Sequence, residues 1–163
     1  MNAQTAGSPI DCRKERRQRA EAIVEKLRLR LETALSRFPV ELAYLHGSVA
    51  RGTPLSDSDV DLALVLSESL PPMERLKLEF AIQDAVAEAC GRKGVDARVI
   101  NHAPLAVQGE IVQEGMCLYA RSRELKTEFE SLTRRKYFDF KPKMERMQLA
   151  LLEHIRQRGL KRG

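Results

Sequence analysis

Gly47 and Ser48 are followed, after a spacer of ten residues, by Asp59-Val60-Asp61, and the chain's chemistry is concentrated in these positions. Asp59 and Asp61 are one residue apart. On a strand, side chains alternate between faces, so both carboxylates are expected on one side, about 6–7 Å apart along the backbone. Two acids side by side repel unless a cation joins them. Mg²⁺ is suited to that role, because it takes carboxylate and phosphate oxygens in octahedral geometry. The plainer alternative is a strand end with two solvated aspartates. Gly47 allows a backbone conformation other residues avoid and lets a ligand approach the main chain. Ser48 adds a hydroxyl, and the turn can present successive N–H groups to an anion. A short helical turn from Ser48 through Arg51 would favour a phosphate further. A Gly-Ser pair by itself is an ordinary turn. Placed at a strand end, just ahead of a second strand carrying Asp-x-Asp, it suits transfer of a nucleotide from a nucleoside triphosphate.

A two-metal transfer calls for a further carboxylate. Asp96, in Val95-Asp96-Ala97-Arg98-Val99-Ile100, is the candidate, because a lone acid in an otherwise apolar strand is costly to bury. The alternative is that Asp96 begins its strand and stays wet. Asp57 is in phase with Asp59 and Asp61, but Ser56 and Ser58 place it in a loop. Arg51 lies three residues after Ser48, and its guanidinium fork suits phosphate, unless it is a surface arginine. His46 reads as a packed or partly exposed strand residue rather than a general base. His102 and His154 have no partner that the sequence identifies.

These residues need a scaffold. Ile23, Leu27, Leu31, Ala34 and Leu35 recur at helical spacing and predict a helix to about Arg37, punctuated by Pro39. Glu41 to His46 predicts a strand entering the Gly47-Ser48 turn, and Val60 to Leu66 predicts a buried strand. Pro71-Pro72 opens a helix whose stripe is Leu78, Ile82, Ala85, Val86 and Ala89, ended by Gly91 or Gly94. Val95 to Ile100 predicts a third strand, Pro104 to Gly115 a short helix, and Met116 to Ala120 a fourth strand holding Cys117. From Arg123 the pattern predicts two helices separated at Pro142, with Phe129, Leu132, Leu149, Leu152 and Ile155 buried. The expected fold class is α/β (α+β): a mixed sheet with flanking helices and a C-terminal helical appendage.

The 163 residues suggest one domain with an appendage. A content of 43% hydrophobic residues, with no tryptophan and 5% aromatics, predicts a mainly aliphatic core. No apolar run approaches the roughly 20 residues needed to cross a bilayer, and Met1 to Asp11 lacks a signal-peptide layout. The expected location is the cytoplasm, with no membrane contact. Cys12, Cys90 and Cys117 have neither disulfide nor zinc-site spacing and read as reduced thiols. The net charge of +5 gathers at the two ends, from Arg13 to Arg19 and from Arg156 to Arg162. It reads as solvated surface; a nucleic-acid face is less favoured, because no aromatics interleave with the charges to stack bases.

Gly47-Ser48, the spacer, Asp59-x-Asp61 and the later Asp96 resemble the DNA polymerase beta superfamily of nucleotidyltransferases. Gly47-Ser48-Val49-Ala50-Arg51-Gly52 and Ser58-Asp59-Val60-Asp61-Leu62 are similar to its minimal nucleotidyltransferase (MNT) branch, as are Asn101 to Leu105 and Glu114 to Tyr119. The small, polar N-terminus and the helical pattern at the end predict a segment 1–10 without order and a helical appendage with a basic tail over 122–163, which leaves 11–121 as the nucleotidyltransferase domain. The resemblance implies that Gly47 and Ser48 hold the triphosphate of ATP, beside the Arg51 read from its position, that Asp59 and Asp61 bind Mg²⁺, as two ions, and that Asp96 shares one of the metals and helps activate the attacking hydroxyl, so that the three acids are catalytic. MNT proteins are often antitoxins of HEPN-family RNase toxins. The resemblance therefore implies an adenylyltransferase that moves AMP from ATP to a tyrosine of such a toxin within a hetero-oligomeric complex. Two other readings stay open: an antitoxin that masks its partner without chemistry, and a nucleotidyltransferase acting on RNA ends or a small molecule.

Overall fold

The computed structural model describes residues 9–158. Along the chain come α1 (Pro9–Leu35), β1 (Val40–His46), α2 (Gly47–Ala50), β2 (Val60–Leu66), α3 (Pro72–Cys90), β3 (Val95–Val99), α4 (Leu105–Glu114), β4 (Met116–Ala120) and α5 (Arg123–Arg158). The strands form one sheet in the order β3-β2-β1-β4. β1 runs antiparallel to β2 and β4, while β2 and β3 are parallel. A parallel pair cannot be joined by a tight turn, and α3 supplies the crossover. The mixed α+β fold expected from the sequence is therefore the one observed.

Alternation along the strands sends residues to two helical layers. Val60, Leu62 and Leu64 of β2 and Ala43 and Leu45 of β1 pack with Leu27 and Leu31 of α1 and Ile82 and Val86 of α3. Each fully buried leucine in this layer contributes about 1.5–3 kcal/mol. Leu42, Tyr44, Ala63 and Val65 face the other way, against Ile100, Ile111 of α4 and Phe129 of α5. Tyr44 is buried there and donates to Glu130 Oε1 at 3.1 Å. Burial pushes its phenol far above the ordinary range, with Cys117 and Glu130 adding to the rise.

The edge strand β3 is held by side chains of α3. Glu79 Oε1 accepts the Val99 N–H at 2.8 Å, and Gln83 Nε2 donates to the Ala97 carbonyl at 3.2 Å. Such contacts occupy groups that an open sheet edge would expose. Helix α3 ends at Gly91 in the left-handed region, with the Arg92 N–H returning to the Ala87 carbonyl at 2.9 Å.

Several elements differ from expectation. Pro9 and Ile10, expected to share the N-terminal disorder, lie in α1; the rest of that expectation, over 1–8, falls outside the described residues. Helix α1 stops at Leu35, because the chain turns through residues 36–39 into β1. β2 opens at Val60, so Asp59 precedes the strand instead of lying in it. The two expected C-terminal helices are one, α5, which continues through Pro142. Proline removes the N–H that would meet the Phe138 carbonyl and its ring crowds that same carbonyl, but Pro142 is exposed, so no packed neighbour is displaced. Leu149 and Leu152, expected to be buried, are 66% and 56% exposed, and Leu132 is 38% exposed. Lys161 and Arg162 of the basic tail lie outside the described residues.

Candidate active site

The end of β1 is where the site begins. His46 closes the strand and Gly47 opens α2 with φ +73°, a region that favours glycine. A second constraint acts at the same residue. A Cβ on Gly47 would fall on Asp61 Oδ2, so the missing side chain is the space that the Asp61 carboxylate fills. The turn closes through Arg51 N–H to the Gly47 carbonyl at 3.2 Å and Thr53 N–H to the Ser48 carbonyl at 2.9 Å. His46 makes no side-chain cap, which leaves the first N–H groups of the turn free of one.

Asp61 is the second residue of β2 and stands between two partners. His46 is its register neighbour on β1, and Asp96 is its register neighbour on β3. Burial lifts its carboxyl above the ordinary 3.8. His46 pulls it back down, Asp96 and Asp59 push it up, and Arg51 pulls it down. The five groups thus share one electrostatic neighbourhood, with Asp61 at its centre.

Asp59 is exposed and sits just ahead of β2. Its position is fixed from both sides. Arg92 Nη2 donates to the Ser58 carbonyl at 2.6 Å, and the Val60 N–H donates to the Gly94 carbonyl at 2.8 Å. Gly94 has φ +75°, and a Cβ there would fall on Asp59 Oδ1. Each acid of the Asp-x-Asp pair is therefore seated where a glycine has no side chain.

Asp96 faces a cation of the chain itself. Arg98, two residues on and on the same side of β3, meets Asp96 Oδ1 from Nε at 2.8 Å. Gln83 Nε2 approaches the same oxygen at 3.3 Å. Arg98 Nη1 also reaches the buried Glu79 Oε2 at 3.5 Å. Among the described residues no three carboxylate, imidazole or thiolate side chains lie close enough to enclose a metal ion. The donor chemistry still suits one: hard carboxylate oxygens on the Asp59–Asp61 stretch and on the neighbouring β3, with the central carboxyl pushed toward protonation by burial first and by two like charges after it. Asp59, Asp61 and Asp96 are the residues that would hold Mg²⁺.

Two cavities flank the turn. One of about 280 Å³ lies between α2 and α4 and is bounded by His46, Gly47, Arg51, Val107, Glu110 and Glu114. The other, about 570 Å³, lies between α1 and α2 beside Arg17, Glu21, Arg51 and Gly52. Arg51 borders both. His102 lies outside this neighbourhood and faces Ser69 Oγ at 2.6 Å, while His154 is exposed on α5. Asp57 is exposed in the loop. The supporting roles of Arg92, Gly94, Gln83 and Arg98 do not follow from the sequence reading. The glycines around Arg92 signal only a helix end there, and the pairing of Asp96 with Arg98 at strand spacing is the one legible clue.

This geometry agrees with a shared family pattern. The pattern described as "Polymerase beta, Nucleotidyltransferase" matches residues 30–124, and the chain belongs to that family. No curated protein sequence matches the chain as a relative. Among solved structures, the fold is similar to a chain of a toxin–antitoxin complex with AMP-PNP, with a TM-score of 0.58 and 20% identity, covering 82% of this chain and 98% of that one. It is similar to a chain of the Shewanella oneidensis complex of a tri-AMPylated HEPN toxin with an MNT antitoxin, with a TM-score of 0.55, 18% identity and the same coverage. A chain of a doubly substituted toxin–antitoxin complex named MntA-HpeT gives a TM-score of 0.57 at 19% identity, again covering 82% and 98%. At these identities the likeness establishes the fold.

Proposed function

We propose that this nucleotidyltransferase is a Mg²⁺-dependent protein adenylyltransferase and an antitoxin, acting in the cytoplasm on a HEPN-type RNase toxin. The observation that carries the reading is the seating of Asp61 in the space left by Gly47, with Asp96 in register beside it and Asp59 next to both. The phosphate-binding turn and the acids then form one site. Support for the substrate and partner comes from relatives of the same fold found in complexes with AMP-PNP and with an AMPylated HEPN toxin.

In this reading the N–H groups of the Gly47-Ser48 turn hold the triphosphate, and Arg51 adds its fork from the rim of both cavities. Bound Mg²⁺ would neutralise charge between the carboxylates and the phosphates. A tyrosine oxygen of the acceptor forms a bond to the α-phosphorus, the bond from that phosphorus to the bridging oxygen breaks, and pyrophosphate leaves. Asp96 takes the phenolic proton, which requires its carboxylate to be free of Arg98. No helix among the described residues is long and apolar enough to cross a membrane.

Intact-protein mass spectrometry of the partner toxin, incubated with this chain, ATP and Mg²⁺, tests the reading. The expected result is a gain of one or more AMP units, lost with Asp59→Asn/Asp61→Asn. A second reading, masking without chemistry, draws on the contacts that tie Asp96 to Arg98 and Gln83. It would give a stable, silenced complex with no gain in mass. AMP appearing instead on RNA ends or on a small alcohol would refute both.

A further inference from the structure

Helix α5 is packed along its first half and bare along its second. Thr133 and Tyr137 are buried, and Tyr137 lies so close to α4 that a Cβ on Gly109 would enter its ring. The side of α5 that makes this contact does not end where α4 ends. Tyr137, Phe140, Met144, Met147 and Leu151 follow one another at alternating three- and four-residue steps, the spacing of a coiled-coil seam. Exposure grows along it. Tyr137 is buried, Phe140 and Met144 are half-buried, and Met147 and Leu151 are 61% and 59% exposed. An apolar seam that already packs on a helix thus runs on into solvent.

The charges beside the seam say what would cover it. If Tyr137, Met144 and Leu151 hold the first core position of each heptad, the flanking positions hold Lys136, Lys141, Lys143, Gln148, Ala150 and Ile155. Three are lysines and none is an acid. Asp139, Glu145 and Glu153 all lie farther round the helix. A second copy of the chain would therefore meet lysine with lysine or with a neutral side chain. Flanking charges set partner choice in such pairs, and like charges oppose it.

We infer that the second half of α5 is a docking surface for an amphipathic helix of another protein, one that carries glutamate or aspartate beside its apolar stripe. That helix would continue along α5 the packing that α4 begins. The inference rests on the packing and charge of α5 and stands apart from the transfer reaction.

The test uses the full chain and two labelled designed helices of about 21 residues, long enough to span the bare half. Both carry the same leucine and isoleucine seam. One has glutamate at the flanking positions, and the other has lysine. Fluorescence anisotropy is expected to show the glutamate helix binding about tenfold tighter, with the difference shrinking as salt screens the flanks. Met144→Glu/Leu151→Glu is expected to remove binding while leaving the circular dichroism and the melting temperature near those of the parent. Lys141→Glu/Lys143→Glu is expected to reverse the preference in favour of the lysine helix. Sedimentation velocity of the chain alone is expected to give a monomer. Equal affinity for both helices, or binding of neither, would overturn the inference. A dimer dissolved by Met144→Glu/Leu151→Glu would also overturn it and assign the seam to a second copy. Co-sedimentation with phosphatidylserine vesicles, lost with the same substitutions, would assign the seam to a lipid surface instead.

Discussion

Asp61 carries an electrostatic strain, and the strain has a sign. Its carboxyl holds a proton more tightly in the folded chain than in the unfolded one, because burial and the facing acids disfavour the charge. Such a group gives stability that is fully present below its ordinary value of 3.8 and lost as pH rises through the raised value. In metal-free buffer near neutral pH, Asp61→Asn is therefore expected to raise the melting temperature, and the gain is expected to vanish toward about pH 3–4. A melting temperature lowered at neutral pH would refute this account of the site. Arg98 makes a second claim at this scale. It occupies Asp96 with a charge that a bound metal would have to replace. Arg98→Ala is expected to tighten Mn²⁺ binding, followed by electron paramagnetic resonance, about two- to tenfold. Weaker binding would mean that Arg98 instead holds Asp96 in place for the metal. The sequence is informative about these residues for a physical reason. Gly47, Ser48, Asp59 and Asp61 lie within one short stretch, so their meeting needs only a turn. Arg98 acting on Asp96 within the reach of Glu79, and Arg92 holding the loop before Asp59, depend on contacts between distant segments, which periodicity does not encode.

Helices and strands are legible where one face is buried and the other wet. The stripe of α1, the stripe of α3 and the run from Val60 to Leu66 all fall where the apolar pattern places them. Helix α5 departs from its pattern for two separate reasons. Pro142 reads as a break in the sequence, although it sits on an exposed side and the helix continues past the lost hydrogen bond and the crowded Phe138 carbonyl. Leu149 and Leu152 read as buried, although nothing in the described fold reaches that far along the helix. Hydrophobicity alone does not say whether a covering element exists. The α4–α5 contact gives a prediction of its own. Gly109→Ala would press a methyl group into the Tyr137 ring, so it is expected to cost about 1–3 kcal/mol in urea denaturation. A change under about 0.5 kcal/mol would mean that the two helices separate without penalty.

Over the whole molecule, this chain is longer than the neighbour chains it overlays. The chains of the two toxin–antitoxin complexes with AMP-PNP and with the AMPylated toxin are covered to 98%, and this chain only to 82%. The core layers draw on residues no later than Phe129, apart from the buried Thr133 and Tyr137, the latter packed on α4. Ending the chain after Glu145 is therefore expected to leave the melting temperature within about 4 °C of the parent. A larger drop would give the second half of α5 a structural role within the domain. The sheet order also imposes a sequence in time. β1 is the first strand made, and it finishes with β2 on one edge and β4 on the other. β2 follows closely and is its antiparallel partner on one edge. β4 is made only after α3, β3 and α4, so during synthesis Leu42 to Leu45 wait with one edge open to any other strand that comes near. A nascent chain halted before Met116 already holds Gly47, Asp59, Asp61 and Asp96 but has an unsealed sheet. The ribosome must travel well past the last of these acids before β4 exists to seal that edge.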